Sequence, residues 1–200
     1  MQEALKTIVH GHVKITDNNT GEVLVDKGNA IHPKNMATAI ARGLSNAANY
    51  QIYKLKLGNQ GTYIDGTQQI IFRTPNITGD TANLYSPQYV EIVDDSNVLV
   101  GTGNSVTYTN VPSSTSTRVI ITCVVSSNEA INNPTDQSGP SLDPDGTFFF
   151  DELGLFTQET AGDLLNGTGE LMLSHLIFSP IEHTGNRELT IVYTLTVSVS

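Results

Sequence analysis

Tryptophan is absent from the 200 residues, and there is one cysteine, Cys123. A single thiol excludes an internal disulfide. Cys123 stands in the apolar run Arg118-Val119-Ile120-Ile121-Thr122-Cys123-Val124-Val125, with nothing near it in sequence to lower its pKa. It therefore reads as a small buried hydrophobe on a strand, not as a nucleophile or metal ligand. Charge is scarce too. Asp, Glu, Lys and Arg make up 15% of the chain, against roughly 25% in an average soluble domain. That charge is lopsided, 20 acidic residues to 10 basic for a net −10, and the closest basic pair is Lys54 and Lys56. An acidic surface repels phosphate backbones and anionic headgroups, which excludes nucleic acid and membrane surfaces as expected partners. No run of about 18 apolar residues is long enough to span a bilayer as a helix. The start, Met1-Gln2-Glu3-Ala4-Leu5-Lys6, lacks the apolar core of a secretory signal, so synthesis and folding in a cytoplasm are expected.

Ser, Thr and Asn are plentiful, 56 of 200 residues, beside 38% hydrophobic residues. This balance excludes a coiled coil, a membrane bundle and a charged disordered tail. It suits many short strands joined by polar turns. Residues 7–16 alternate Val9, Val13 and Ile15 against His10, His12 and Lys14; the cluster Asp17-Asn18-Asn19-Thr20-Gly21 then turns the chain into a second strand at 22–26. Pro33 suits a first helical position, and Met36, Ile40 and Leu44 recur every four residues, predicting one helix over 33–48 with Asn49 as its stop. Alternation in 52–57 turns Tyr53, Leu55 and Leu57 inward and the two lysines outward, before the glycine turn Gly58-Asn59-Gln60-Gly61. Further strands are expected at 69–73, 89–93, 97–100, 105–109, 117–126, 148–156, 170–178 and 189–198. The expected fold is mainly β, an antiparallel β-sandwich with one α-helix in the N-terminal half packed on it. It forms one domain over residues 1–200. A projecting loop at 127–147, carrying Pro134, Pro140 and Pro144, is the expected contact element.

Each motif with a chemical reading also has a plainer one. Val98-Leu99-Val100-Gly101-Thr102-Gly103 imitates a dinucleotide fingerprint, but Val106 replaces the third glycine and a strand-like sequence follows where a helix is required. Asp94-Asp95 and Asp151-Glu152 are adjacent carboxylates that a strand turns to opposite faces, so neither pair forms a two-carboxylate site by itself. His10 and His12 share a strand face and supply two metal ligands, too few alone; three pairs about a trimer axis would complete an octahedron. The plainer reading, two polar residues on the wet face of a hairpin, is preferred. The run 141–152 places Asp143, Asp145, Gly146 and Glu152 at calcium-loop positions three, five, six and twelve. Ser141 at position one, Pro144, and the strand-like Phe148-Phe149-Phe150 favour a simple Asp-Pro-Asp-Gly turn instead. Sequons at Asn18, Asn76 and Asn166 arise readily in so Asn- and Thr-rich a chain. No catalytic, cofactor-binding or metal-binding residue is assigned.

Several segments fall into a familiar order. Val25-Asp26-Lys27-Gly28-Asn29-Ala30-Ile31-His32-Pro33 leads into the helix, and Tyr53-Lys54-Leu55-Lys56-Leu57-Gly58-Asn59-Gln60-Gly61 follows it. Later come Phe150-Asp151-Glu152-Leu153-Gly154-Leu155, His175-Leu176-Ile177-Phe178-Ser179-Pro180-Ile181 and Arg187-Glu188-Leu189-Thr190-Ile191-Val192-Tyr193. From about Val9 to Val197 this order resembles small β-rich virion structural proteins of tailed bacteriophages, of the marine contractile-tailed type. Gln60 departs from the Gly-x-Gly-like turn, and 127–147 lies outside the pattern. The resemblance implies a non-enzymatic virion component without a cofactor, made in the host cytoplasm. It would dock to other virion structural proteins at the neck, tail or baseplate, as a homo-oligomer in the particle. Capsid decoration is the alternative within that class. A carbohydrate-binding module of a receptor-binding apparatus is the rival class; the lack of Trp weighs against it, and exposed Tyr63, Tyr85 and Tyr108 would favour it.

Overall fold

The alternating segments form strands because their apolar residues line one face of a pleated sheet. The computed structural model describes residues 6–97, 100–127 and 147–200. In chain order the elements are β1 (Thr7–Asp17), β2 (Val23–Ile31), α1 (Pro33–Leu44), β3 (Ile52–Gly58), β4 (Thr62–Ile64), β5 (Ile70–Phe72) and β6 (Pro87–Ile92). They continue with β7 (Ser105–Asn110), β8 (Ser116–Val125), β9 (Thr147–Thr157), β10 (Met172–Thr184) and β11 (Leu189–Val199). Among the described residues the protein is mainly β and antiparallel, with one helix.

Nine strands form a single sheet in the order β6-β3-β9-β10-β2-β1-β11-β8-β7, while β4 and β5 make a separate hairpin. The expected sandwich would have two sheets; here β2 belongs to both halves. Val23 to Asn29 pair with β1, and Ala30 and Ile31 pair with His175 and Ser174 of β10. The sheet curls so that Val13, Ile15, Ile121, Cys123, Ile191 and Tyr193 share one buried cluster with Leu55, Leu57, Leu153, Leu155 and Phe178. Cys123 is buried within it, as its apolar run foretold. Asn104 fastens the curl. Its Nδ2 donates to Glu91 Oε2 at 3.0 Å and to the Ile92 carbonyl at 2.9 Å, and its Oδ1 accepts from the Val124 amide at 2.6 Å. One side chain thus joins β6 to β8, from opposite ends of the sheet order.

The helix starts where Pro33 predicts, capped by the His32 ring, whose Nδ1 accepts from the Asn35 amide. It stops at Leu44, four residues early. Asn46 takes φ 57°, the Asn46 amide donates to the Gly43 carbonyl, and the Ala47 amide donates to that of Arg42. This is the paired closing pattern that a left-handed residue after a helix produces, and Asn is among the few side chains that tolerate it. The strand expected at 97–100 is not seen at Asn97 or Val100, and Val98 and Leu99 lie outside the described residues.

Candidate functional site

Three motifs far apart in sequence meet at one place. On β9, Asp151 and Glu152 each hold a loop by its backbone. Asp151 accepts from the Gly61 and Thr62 amides, both at 2.8 Å. Glu152 accepts from the Tyr85 amide at 2.9 Å and the Ser86 amide at 2.8 Å. His175 of β10 donates from Nε2 to Glu152 at 3.0 Å, while its Nδ1 accepts from the Asn76 amide at 2.8 Å. Burial alone would raise the Glu152 pKa; the hydrogen bonds from His175, Tyr85 and Ser86 outweigh it and hold the carboxyl below its ordinary range. Glycine is required where these loops approach. A Cβ on Gly58 would stand 2.5 Å from Glu152 Oε1, and one on Gly61 would stand 2.9 Å from the Asp151 carbonyl oxygen. The acidic pair and the glycine turn are therefore one junction whose partners are backbone amides.

This junction fixes an aromatic platform on the surface. Tyr63 of β4 and Tyr85 are exposed, and the Arg73 guanidinium lies 5.7 Å from the first ring and 4.9 Å from the second. The Tyr85 hydroxyl donates to the Thr74 carbonyl, and the Tyr85 ring also lies against His175. Cation–π contact of this kind holds rings and guanidinium in one arrangement. The β4–β5 hairpin itself turns on Asp65, whose carboxylate accepts from the Thr67 and Gln69 amides. Its other face shows Ile64, Ile70 and Phe72 to solvent. A second apolar surface lies along α1. Only Asn35, Met36 and Ala39 of the helix are buried. Ile40 and Leu44, with Val9, Ile31 and Met36, line an open groove of about 480 Å³, and Leu44 is 86% exposed. The sequence named Tyr63 and Tyr85 but missed Arg73 and the hairpin face. The signal was Ile64 and Ile70 set symmetrically about an Asp-Gly turn.

Lys54 and Lys56, expected to face water, are fully buried. They do leave the core face, but residues 158–171 cover that side of β3. Lys54 Nζ lies 2.5 Å from Glu159 and 2.7 Å from Glu170, and it donates to the Leu164 carbonyl. Lys56 pairs with Glu170, donates to the Leu165 carbonyl and rests 4.5 Å from the centre of the Phe156 ring. Burial pulls the Lys56 ammonium below its usual range, with Glu170 opposing. This is a strap holding a loop, and every charge in it has a partner.

The remaining sequence candidates are scattered. His10 and His12 stand on the outer face of β1, across from Thr196 and Thr194, and His12 Nε2 lies 2.9 Å from Asp26. Tyr108 is exposed on β7, apart from the other two tyrosines. Asp94 caps a turn by accepting from Ser96. Of the calcium-loop candidate, Asp143, Asp145 and Gly146 lie outside the described residues, as does nearly all of the 127–147 loop. Among the described residues no group of three His, Cys, Asp or Glu is placed to hold a metal ion, and no helix is long and apolar enough to cross a membrane. Comparison with family models, with curated proteins and with solved structures gave no match to this chain.

Proposed function

We propose that this chain is a non-enzymatic structural component of a tailed-phage particle, docking to other particle proteins at the neck, tail or baseplate. The observation that carries the docking part is apolar side chain left outside the core on α1 and on the β4–β5 hairpin. Ile40 and Leu44 stand over the groove of α1, and Ile64, Ile70 and Phe72 stand on the hairpin. Exposed apolar patches of this kind mark contact surfaces. The buried ionisable groups of the junction and the strap are occupied in holding loops, which is how a scaffold uses them. The particle itself is supported by the resemblance alone. Cryo-electron microscopy of intact virions tests it through copy number and position. A few copies about the tail axis support the neck or tail location, and many copies over the shell make the chain a decoration protein. Its absence from particles defeats the reading.

A carbohydrate-binding role is the second reading, favoured by the Tyr63–Arg73–Tyr85 platform. Exposed rings stack on sugar faces, and a guanidinium between them reaches hydroxyl and carboxylate groups. Glycan-array binding that disappears in Tyr63→Ala and Tyr85→Ala would establish it, and no binding by the wild-type chain would remove it.

A further inference from the structure

The nine-stranded sheet has two ends, and they are finished differently. β6 begins with Pro87, which has no amide hydrogen to offer. Its far end is covered, since Asn104 donates to the Ile92 carbonyl and the Gly101 amide donates there too. Among the described residues β7 has no such protection. Ser105-Val106-Thr107-Tyr108-Thr109-Asn110 contains no proline and no charge, and its six pairs with β8 run without a bulge. Thr107, Tyr108, Thr109 and Asn110 are all exposed, and no described residue pairs with the outer side of the strand. Proteins usually blunt a free edge with lysine, proline or a bulge, and an edge left flat and neutral is a template for another strand.

We infer that the occupant is a second copy of this chain, with β7 pairing antiparallel to β7 across a two-fold axis. Two features of the strand select a copy of itself. Two copies that each carry −10 avoid setting like charges face to face only where the contact is uncharged, and β7 is uncharged along its whole length. The nearest charge across the ladder is Arg118, opposite Thr109.

The strand is also complementary to itself. A two-fold axis perpendicular to the sheet keeps core-side residues opposite core-side residues. Val106 and Tyr108 are on the core side, because they pair with Ile121 and Val119. With the axis at Thr107, Val106 meets the copy's Tyr108, Thr107 meets its own counterpart, and Ser105 meets Thr109. Aromatic with β-branched and Thr with Thr are favourable cross-strand pairs. Tyr108, 76% exposed in the single chain, gains the cover of the copy's Val106. A six-residue edge buries less than the roughly 800 Å² per partner of a standard interface, so the dimer belongs with weak, reversible contacts.

The inference rests on the docking reading only in treating the chain as part of an assembly. Its test uses the purified full-length chain, so its failure leaves the position in particles open, and a dimer in solution does not depend on that position. Sedimentation equilibrium should show a monomer–dimer equilibrium. Thr107→Glu, which sets two carboxylates face to face on the axis, should weaken it roughly tenfold or more. Thr107 is exposed, so the monomer should fold unchanged. Thr107→Cys supplies the positive test. Opposed residues in an antiparallel pair bring Cα atoms within disulfide reach, so mild oxidation should give a covalent dimer. Thr109→Cys, displaced from the axis by two residues, should not cross-link; Cys123 is buried and does not compete. A wild-type chain that stays monomeric overturns the inference. So does a Thr107→Glu variant that dimerises as the wild type does, or equal cross-linking at the two positions.

Discussion

Lys54 and Lys56 alternate with Leu55 and Leu57, and the alternation states only that the lysines leave the core side of β3. Whether that side meets water depends on residues 158–171, a hundred positions away, which no local period can report. Hydropathy favoured solvent, and the loop's two glutamates and two carbonyls made burial possible instead. The pairing makes the partners unequal. Glu170 answers both lysines, so Glu170→Ala leaves the buried Lys56 ammonium with no carboxylate and Lys54 with Glu159 alone, and should cost about 4 kcal/mol. Lys56→Met keeps the length, retains contact with Phe156 and leaves Glu170 paired with Lys54; it should cost about 1–2 kcal/mol. Urea unfolding of the two variants tests the ranking. Equal losses would mean that the strap is not organised around Glu170.

Elements were more legible than contacts. Most strands and the helix start fall where alternation and Pro33 place them, because both signals are local. The helix end was misplaced because the every-four spacing of Met36, Ile40 and Leu44 carries on to Ala48, while termination is set by Asn46 adopting φ 57°. Leu44 extends the stripe in sequence yet is exposed, so the pattern outlasts the packing. The junction was half legible. Adjacent acids inside an apolar strand were conspicuous, but their partners are the amides of Gly61, Thr62, Tyr85 and Ser86, and an amide hydrogen leaves no mark in a sequence. Of the proposed contact elements, the loop at 127–147 was anticipated and lies almost wholly outside the described residues, whereas the hairpin was seen only as a strand near 69–73. The closing turn of the helix allows a clean check. Asn46→Gly relieves the left-handed conformation and should stabilise the chain by roughly 0.5 kcal/mol, whereas Asn46→Ala should cost about 1 kcal/mol. Thermal midpoints moving in opposite directions are the expected result, and a shared direction would contradict the cap.

At the scale of the molecule, strand content was legible but the continuity of the sheet was not. That continuity depends on β2 serving two partners and on Asn104 bridging β6 to β8, and both are non-local. The curl also determines how the protein responds to acid. His183 of β10 pairs with Phe148 of β9 and is buried where Val125 of β8 and Arg187 approach it. Burial is the main cause that pulls its pKa from 6.5 down to about 4, with the Arg187 charge reinforcing it and backbone groups opposing. Below pH 6.5 the unfolded chain takes up a proton at this position that the folded chain refuses until about pH 4. Stability contributed by neutral His183 is therefore intact at pH 7 and drains away across that window, by on the order of 3 kcal/mol. Asp17 and Glu152, both held below their ordinary range by hydrogen bonds, add to the loss only further into acid, as pH falls below the unfolded carboxylate values. His183→Leu removes the first step and leaves the second. Urea midpoints measured from pH 7 to 4.5 should fall steadily in the wild type and much less in the variant. Parallel slopes would place the acid sensitivity elsewhere in the sheet.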